Sequence, residues 1–294
     1  MPAEPAEVTA AGRAPDATVA AARRRRRKAV LNYTFLTILA VIVLFPLYVA
    51  VVGSLLPAPD IAKQPPPFLP LHPQWHTYSE AWSQGSMGLY LRNSLIATAI
   101  ITVGEIVTSI LSAYAFAFLN FPFKRTLFVI FLMTLMIPFE VTIATNLTTV
   151  TNLGWYNTFQ GLTVPFLAWG FGTFLLRQAF LQLPKELEEA AVLDGYGHLR
   201  FMVRIAVPLI RPAIAALTVF AFLTAWNQYL WPLVVTGNNN VRTVQIGLKQ
   251  LLGTSLQNIN ITLAGTVIAV IPLIILLVVF QKQLVRGITA GAVK

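Results

Sequence analysis

The 294-residue chain contains no cysteine and only three histidines, and these absences already exclude several classes of function. Disulfide bonds, thiol catalysis and cysteine metal sites are ruled out, and the redox compartment stays undetermined. The sequence also lacks an H-E-x-x-H pattern, a G-x-S-x-G pattern and the G-x-x-x-x-G-K-S/T loop that cradles nucleotide phosphates. We therefore expect no enzymatic activity, no metal site and no cofactor bound by this chain itself.

Charged side chains are scarce as well, at 11% of the chain, whereas hydrophobic residues make up 56% and the mean hydropathy is +0.69. Soluble domains carry about 25% charged residues, so lipid must form part of the solvent of this chain. The formal net charge is +10, but five arginines and a lysine are concentrated at residues 23–28 and most other basic residues flank apolar runs. This distribution differs from the footprint of a nucleic-acid-binding protein, and we expect membrane lipid rather than nucleic acid as a partner.

Six apolar stretches are long enough to cross a bilayer, which requires about 20 residues of helix. They cover residues 30–53, 93–119, 126–148, 160–181, 211–235 and 262–281, and prolines inside five of them predict kinks. The sequence therefore predicts an all-α membrane protein with six transmembrane helices, in which residues 29–294 form the transmembrane domain. Residues 1–28 are rich in alanine, lack apolar periodicity and are predicted to form a disordered basic tail.

Lysine and arginine are distributed unevenly between the two sides of these six spans. With the N-terminus inside, 17 of them lie in or beside cytoplasmic segments and four lie on the opposite side. The positive-inside rule then predicts that both termini face the cytoplasm. The basic run at 23–28 fits this prediction as a topology determinant, and it has an alternative interpretation as an anchor for anionic lipids.

The predicted cytoplasmic segment 182–210 is long enough to form structure of its own. Pro184 stands at a helix start, and three glutamates in the next five residues complement the dipole of a helix N-terminus. Gly195 suits a helix end with positive φ, and a second short helix is expected to stop at Pro208. Physical reasoning alone leaves two interpretations equally open, a docking surface for a soluble partner and an ordinary amphipathic connector.

One motif within this segment decides between the two interpretations. Its residues are Glu189, Ala190, Ala191, Gly195, Ile205 and Pro208, and they follow the spacing E-A-A-x3-G-x9-I-x-L-P. Val207 stands where the motif has leucine, which keeps an apolar side chain there. The pattern resembles the EAA motif of ABC importer permeases. The resemblance implies the type I importer permease fold, with segment 182–210 as a cytoplasmic coupling-helix loop whose motif residues contact a separate ATP-hydrolysing subunit.

The resemblance covers residues from about 30 to 290 and points to carbohydrate-type importers, the group that contains the maltose permeases. Four segments are most similar to the permeases of glycerol-3-phosphate importers: VLFPLYVA at 43–50, TLMIPFEVTI at 134–143, WNQYLWPL at 226–233 and LVRGI at 284–288. This similarity implies a multi-pass protein of the bacterial inner membrane whose cargo is sn-glycerol-3-phosphate or a glycerophosphodiester. A di- or oligosaccharide is the alternative cargo.

The same resemblance implies a set of partners for this chain. They are a second permease subunit that completes a heterodimer, two subunits that bind and hydrolyse ATP, and an extracytoplasmic substrate-binding protein. The chain would then form half of the translocation path. Ion-coupled secondary transport is the alternative from another class, although the sequence contains no recognisable inverted repeat of the kind such transporters use.

Polar residues inside the apolar stretches are candidates for the substrate path. Glu105 and Glu140 lie within predicted spans, where a charge costs roughly 2.5–3.5 kcal/mol or more unless it faces protein or water. A second group lies in the fifth span and consists of Trp226, Asn227, Gln228 and Tyr229. Neutral donors suit polyols and sugars, and aromatic faces can also hold a cation. Helix packing is the alternative role for each of these residues.

Overall fold

The computed structural model describes the backbone of residues 15–254 and 259–290 and the side chains of residues 23–252 and 259–282. Within these ranges the chain is helical and contains no strand. The α-helices are α1 (Pro15–Leu55), α2 (Ala58–Ile61), α3 (His76–Gln84), α4 (Met87–Phe118), α5 (Lys124–Met133), α6 (Phe139–Asn152), α7 (Phe159–Thr163), α8 (Gly170–Phe180), α9 (Glu186–Leu193), α10 (His198–Phe201), α11 (Val207–Leu209), α12 (Arg211–Trp226), α13 (Leu230–Val235), α14 (Val244–Thr254) and α15 (Ile259–Ala290). They form one helical bundle.

Three of these helices are long and apolar enough to cross a bilayer on their own. They are the part of α1 from Arg23 onward, all of α4, and α15 up to Lys282. They correspond to the first, second and sixth predicted spans. The predicted kinks in α1 and α15 are not breaks, because both helices continue through their internal prolines, Pro46 and Pro272.

The other three predicted spans, 126–148, 160–181 and 211–235, are each interrupted. α5 and α6 meet at 96° beside Pro138, and α7 and α8 are bent by 44° after the 3-10 turn that contains Pro165. Span 211–235 divides into α12 and α13 at residues 227–229. Proline has no backbone N–H and clashes with the preceding turn, so the first two helices end where their prolines stand.

A third bent pair consists of residues 198–209 and α12, which meet at 80°. Counting each bent pair as one membrane span gives up to six spans in the part of the chain with described structure. This pairing differs from the sequence prediction. It joins residues 198–209 to α12, whereas the predicted fifth span, 211–235, consists of α12 and α13.

The N-terminal helix begins earlier than the predicted membrane span. α1 starts at Pro15, so residues 15–28 are helical where the sequence analysis predicted a disordered tail. Proline is favoured at the first helical position, and alanine and arginine, which dominate this stretch, have high helix propensity. Residues 1–14 of the predicted tail lie outside the described residues, as do 255–258 and 291–294 of the predicted domain 29–294.

The central helix of the bundle is α4, which packs against both α8 and α12, while α15 packs against α1 and α12. Buried hydrophobic residues form three clusters around it. The first joins α4 and α8 to segment 191–210, and the second joins α4 to α12, α14 and α15. The third joins α4 to α6, α7 and α13. It therefore connects the break before α6, at Pro138, with the break before α13, at residues 227–229.

Candidate functional site

Segment 182–210, which we call the elbow, folds as two helical parts joined by a tight turn. Its first helix, α9, ends in a Schellman motif, in which the Tyr196 N–H donates to the Ala191 carbonyl at 2.8 Å and the Gly195 N–H donates to the Val192 carbonyl at 3.0 Å. Gly195 has a φ of +75°, a left-handed conformation that glycine adopts without steric cost. The first helix therefore ends at the glycine that the sequence singled out.

The second part of the elbow departs from the simple helix that was expected. After α10 the backbone widens into a π-helical segment at Met202–Ala206 and then continues as α11. Pro208 does not end this part, because it lies inside α11, which extends to Leu209. The chain turns at Ile210, directly before the Arg211–Pro212 start of α12.

One side of the elbow is fixed to the bundle by an aromatic cluster. The Phe201 ring packs edge-to-face on Phe118 with centroids 5.4 Å apart, and Tyr114 packs edge-to-face on Phe180 at 5.9 Å. The Tyr114 hydroxyl also lies 3.3 Å from Nδ1 of His198. Each such ring pair contributes about 0.5–1.5 kcal/mol beyond its buried area. The elbow is thus a rigid extension of α4 and α8.

Sequence reasoning missed this aromatic cluster. Tyr114 and Phe118 stand near the end of the second predicted span, Phe180 stands at the end of the fourth, and Phe201 lies inside the motif region. The available signal was the concentration of rings at the ends of two spans on the motif's side of the membrane. That signal does not say which rings meet, because the contact joins residues up to 87 positions apart, from 114 to 201.

The opposite side of the elbow is both apolar and exposed. Four of its hydrophobic residues are more than half exposed: Val192 at 62%, Leu193 at 88%, Leu199 at 69% and Val203 at 56%. Among the motif residues, Glu189, Ala190 and Gly195 are exposed, Ile205 and Pro208 are half-buried, and Ala191 is buried against the bundle. An exposed apolar surface with an acidic edge, held on a rigid support, is typical of a protein-docking site.

Glu105, the first candidate for the substrate path, faces the interior of the bundle. It is 5% exposed and lies on α4 with Thr102 and Ser109, which are three positions before it and four after it on the same face. Thr102 Oγ1, Glu105 Oε2 and Ser109 Oγ are buried and have no hydrogen-bond partner among the described side chains and backbone. A Cβ at Gly172 of α8 would lie 2.3 Å from Ser109 Oγ, so this helix passes close by. The geometry favours the packing role for Glu105.

Replacing Glu105 by lysine should strongly reduce the amount of folded protein in the membrane, whereas Glu105→Gln should be tolerated. A lysine ammonium at this position would be buried without a partner and would cost roughly 2.5–3.5 kcal/mol or more. Glutamine has nearly the same side-chain volume as glutamate and carries no charge. The amount of monodisperse protein in size-exclusion chromatography after detergent extraction measures the effect, and Glu80→Lys on the partly exposed α3 is the matched control. Equal amounts of monodisperse protein for wild type and Glu105→Lys would contradict the buried position.

Glu140, the second acidic candidate, lies in the first turn of α6, directly after the 96° bend, and is exposed. α6 also presents Thr145, Thr148 and Thr149 on an exposed face. Polar side chains on a membrane helix normally face protein or a water-filled cavity and not lipid. This threonine face was missed by the sequence analysis, although the run of threonine and asparagine at 142–152 was the available signal.

The polar and aromatic group of the fifth span does not form one cluster. Trp226 is 2% exposed and stacks on Phe222 with centroids 5.7 Å apart, so it belongs to the bundle core. Asn227 ends α12, where its Nδ2 donates to the Leu223 carbonyl at 2.8 Å. The partly exposed Gln228 and Tyr229 lie in the break before α13. Three of the four residues therefore occupy a helix break.

Trp231 connects this break to the bend at Pro138. Its Nε1 donates to the Gly161 carbonyl at 3.1 Å, and its ring packs edge-to-face on Phe139, 5.7 Å away, and on Phe166, 6.2 Å away. Since Phe139 precedes Glu140, the structure brings the start of α6 close to residues 227–229. Glu105 does not belong to this group, because it lies about 12 Å further along α4 from Ala97, which packs there.

Metal ligands are not grouped in the part of the molecule with described side chains. No set of three or more histidine, aspartate or glutamate residues there is arranged to hold a metal ion. The histidines at positions 72 and 76 are both exposed, and Nε2 of His76 lies 3.9 Å from Oε1 of Glu80.

A comparison with protein families decides the kind of protein. The model of the "binding-protein-dependent transport system inner membrane component" family matches residues 105–290, which is more than half of the chain. The chain belongs to this family. It is a multi-pass membrane protein, and the matched region contains the elbow, α6 and the breaks around Trp231.

Curated relatives of this permease match it over nearly its whole length. It is 36% identical over 272 residues to the sn-glycerol-3-phosphate transport system permease protein UgpE of Yersinia pestis bv. Antiqua (strain Antiqua), which covers 90% of this chain and 97% of the relative. It is 37% identical over 267 residues to the protein of the same name from Rhizobium meliloti (strain 1021), covering 88% of this chain and 95% of the relative. These matches confirm the expected resemblance to permeases of glycerol-3-phosphate importers.

Solved structures support the fold class. The permease superposes with a TM-score of 0.76 on a chain of a bacterial ABC transporter involved in the import of the acidic polysaccharide alginate, at 22% identity and covering 88% of this chain and 97% of that one. A chain from a complex of an alginate ABC transporter with its pentasaccharide-bound periplasmic protein gives a TM-score of 0.62 at 14% identity, covering 89% and 94%. The predicted all-α fold of ABC importer permeases is thus confirmed.

Proposed function

We propose that this permease is a subunit of an ABC importer for sn-glycerol-3-phosphate or glycerophosphodiesters and that it forms half of the translocation path. Similarity to UgpE proteins over about nine-tenths of the chain supports this cargo. The elbow is the observation that carries the ATP-driven mechanism, because its exposed side is apolar with an acidic edge, which suits protein docking, and its buried side packs on the transmembrane bundle.

The six motif residues divide the coupling task between them. Glu189 and Ala190 are exposed and contact the ATP-hydrolysing subunit, while Gly195 makes the turn that presents them. Three others, Ala191, Ile205 and Pro208, are buried or half-buried and hold the elbow on the bundle. When two ATP-binding subunits close, the movement of their docked elbows passes through Phe201 to α4 and α8, and the path changes its opening from one side to the other.

The proposal includes an orientation and a set of partners. Both termini face the cytoplasm, six spans cross the membrane with α12 and α13 together as the fifth, and the elbow lies on the cytoplasmic side. The distribution of 17 and four basic residues supports this orientation. The partners are a second permease subunit that completes a heterodimer, two ATP-binding subunits that hydrolyse the ATP, and an extracytoplasmic substrate-binding protein.

The substrate path in this proposal follows the exposed polar side of α6. Glu140 and the threonine face of α6 line it, together with Gln228 and Tyr229 in the adjoining helix break. A break in a membrane helix frees backbone carbonyls that lack intrahelical partners, and such groups are tolerated where they face a cavity. The second permease subunit supplies the other half of the lining.

A di- or oligosaccharide is the second candidate cargo, and one observation favours it. Apart from Glu140, the polar groups of the proposed lining are neutral hydroxyls and amides, which hydrogen-bond sugars as readily as a glycerol backbone. The carboxylate of Glu140 has the same sign of charge as a phosphate. Cargo selection by charge would then depend on the substrate-binding protein.

The proposed function is tested by uptake into proteoliposomes that contain the full complex, with the substrate-binding protein outside and ATP inside. We expect ATP-dependent uptake of labelled sn-glycerol-3-phosphate that is insensitive to ionophores. If the complex takes up maltose but not glycerol-3-phosphate, the proposed cargo is wrong and the saccharide replaces it. Uptake that needs no ATP and stops when an ionophore is added would contradict the importer mechanism and favour ion-coupled transport.

A further inference from the structure

A second surface of the molecule takes no part in the proposed transport mechanism. It is a groove of about 310 Å³ between the start of α5 and the ends of α4 and α8, and it is lined by Phe116, Lys124, Arg125, Phe128 and Arg177. We call it the basic groove. Three of its five residues are cationic and the other two are aromatic.

Two of the three cations of the basic groove are held in place by the bundle. The Arg177 guanidinium lies 4.2 Å from the centroid of the Phe128 ring, and its Nε–H donates to the Phe116 carbonyl at 3.1 Å. Lys124 Nζ donates to the carbonyls of Ala117 and Leu119, at 3.2 and 2.8 Å, where α4 ends. These contacts leave most of the five N–H donors of the guanidinium available for a ligand.

The positive charge of the groove is not neutralised by a contacting carboxylate. Among the described residues the two ion pairs are Lys63 with Asp60 and His76 with Glu80, neither of which lies here. Glu188 on α9 is the acidic residue whose charge acts on Lys124, and it does so from beyond ion-pair distance. An anion in the groove would therefore meet three nearby cations.

The groove borders an exposed apolar surface on α5, a predicted membrane-spanning helix. Along α5, the side chains of Leu127, Val129, Ile130 and Met133 are 45–58% exposed, beginning one turn beyond the cations. Phospholipids have this same arrangement, with an anionic phosphate at the bilayer surface and acyl chains beside it. Basic pockets between membrane helices bind such headgroups, and arginine contacts phosphate with two parallel hydrogen bonds.

We propose that the basic groove binds the phosphate headgroup of an anionic phospholipid from the leaflet on the elbow's side of the membrane. Arg177 and Lys124 contact the phosphate oxygens, Arg125 adds the third charge, and the acyl chains lie along α5. The elbow packs on the same ends of α4 and α8, although no elbow residue lines the groove itself.

The test uses the purified full complex and native mass spectrometry, titrated with phosphatidylglycerol. Phosphatidylcholine with the same acyl chains and inorganic phosphate are the comparison ligands. The Lys124→Gln/Arg125→Gln variant should bind phosphatidylglycerol more weakly, by about fivefold for each charge removed. The matched control is Lys63→Gln/Lys249→Gln, which removes two charges from exposed lysines outside the groove and outside the basic run of α1, and should leave this binding unchanged. Size-exclusion profiles of both variants verify assembly.

A photoreactive phosphatidylglycerol locates the site, and we expect its crosslink in residues 116–133. Equal binding of phosphatidylcholine, or an equal loss of binding in the Lys63→Gln/Lys249→Gln control, would overturn the proposal. Inorganic phosphate that displaces the lipid at equal concentration would identify free phosphate as the ligand and reject the lipid. A crosslink elsewhere, together with loss of the ATP-binding subunits from Arg125→Gln, would assign the groove to a protein contact. Should the double variant not assemble, the crosslink position in the wild-type complex decides alone.

Discussion

Glu189→Lys is expected to abolish ATP-driven uptake while the chain still inserts and assembles in the membrane. Glu189 is exposed in the first turn of α9 and makes no side-chain contact that the fold requires. Lysine reverses the charge presented to the ATP-hydrolysing subunit. Breaking a charged contact of this kind across an interface costs about 2–5 kcal/mol, which corresponds to a loss on the order of 30-fold or more.

The matched control for this prediction is Glu186→Lys, which makes the same charge change in the same turn but outside the motif. Both variants place a cation in the first turn of α9, at a cost to the helix of about 0.3–1 kcal/mol. Uptake and substrate-stimulated ATP hydrolysis are measured in proteoliposomes with matched amounts of complex. If Glu189→Lys transports at the wild-type rate, the coupling role assigned to this residue is wrong.

The second large effect is expected for Gly195→Val, which should also stop uptake. The φ of +75° at this position is unfavourable for any residue with a Cβ, by about 1–2 kcal/mol, and a β-branched residue is strained further. A Cβ at Gly195 would meet no atom within 4 Å, so the effect acts through the backbone and the docked surface, not through a clash in the core. The turn would open and shift α9 relative to α10.

Gly197→Val provides a matched control two residues away. Gly197 has an ordinary φ of −78° and also has no atom within 4 Å of a built Cβ. We expect Gly197→Val to transport at near the wild-type rate, and Gly195→Asn to be intermediate because asparagine tolerates the left-handed region. The measurement is uptake per assembled complex. Similar uptake by the two valine variants would reject a requirement for the left-handed turn.

Several elements of the fold could be predicted from sequence because their cause is local. α1, α4 and α15 are continuous apolar helices, and hydropathy alone identified them. The breaks at Pro138 and at 227–229 could not be located in the same way. α1 and α15 each contain a proline without a break, so whether a proline kinks or ends a membrane helix depends on what packs against it.

The candidate site shows the same division. The turn at Gly195 was predictable because helices commonly end at a glycine in the left-handed conformation, and this preference depends only on the local sequence. The pairing of Phe201 with Phe118, and the position of Trp231 beside Phe139, were not predictable. Each pair joins residues more than 80 positions apart, and hydropathy does not indicate which apolar side chains contact each other.

By itself, the sequence determined that this chain is a membrane protein. It also determined which residues form the long helices and at which residue the acidic elbow turns. These properties follow from the free energy of apolar transfer and from backbone conformation at single residues, which act wherever the residues stand. Only the tertiary structure decided that Glu105 is enclosed, that the threonines of α6 are exposed, and that Lys124 and Arg177 share one groove. Those outcomes depend on which helices pack together, and that is a property of the whole bundle.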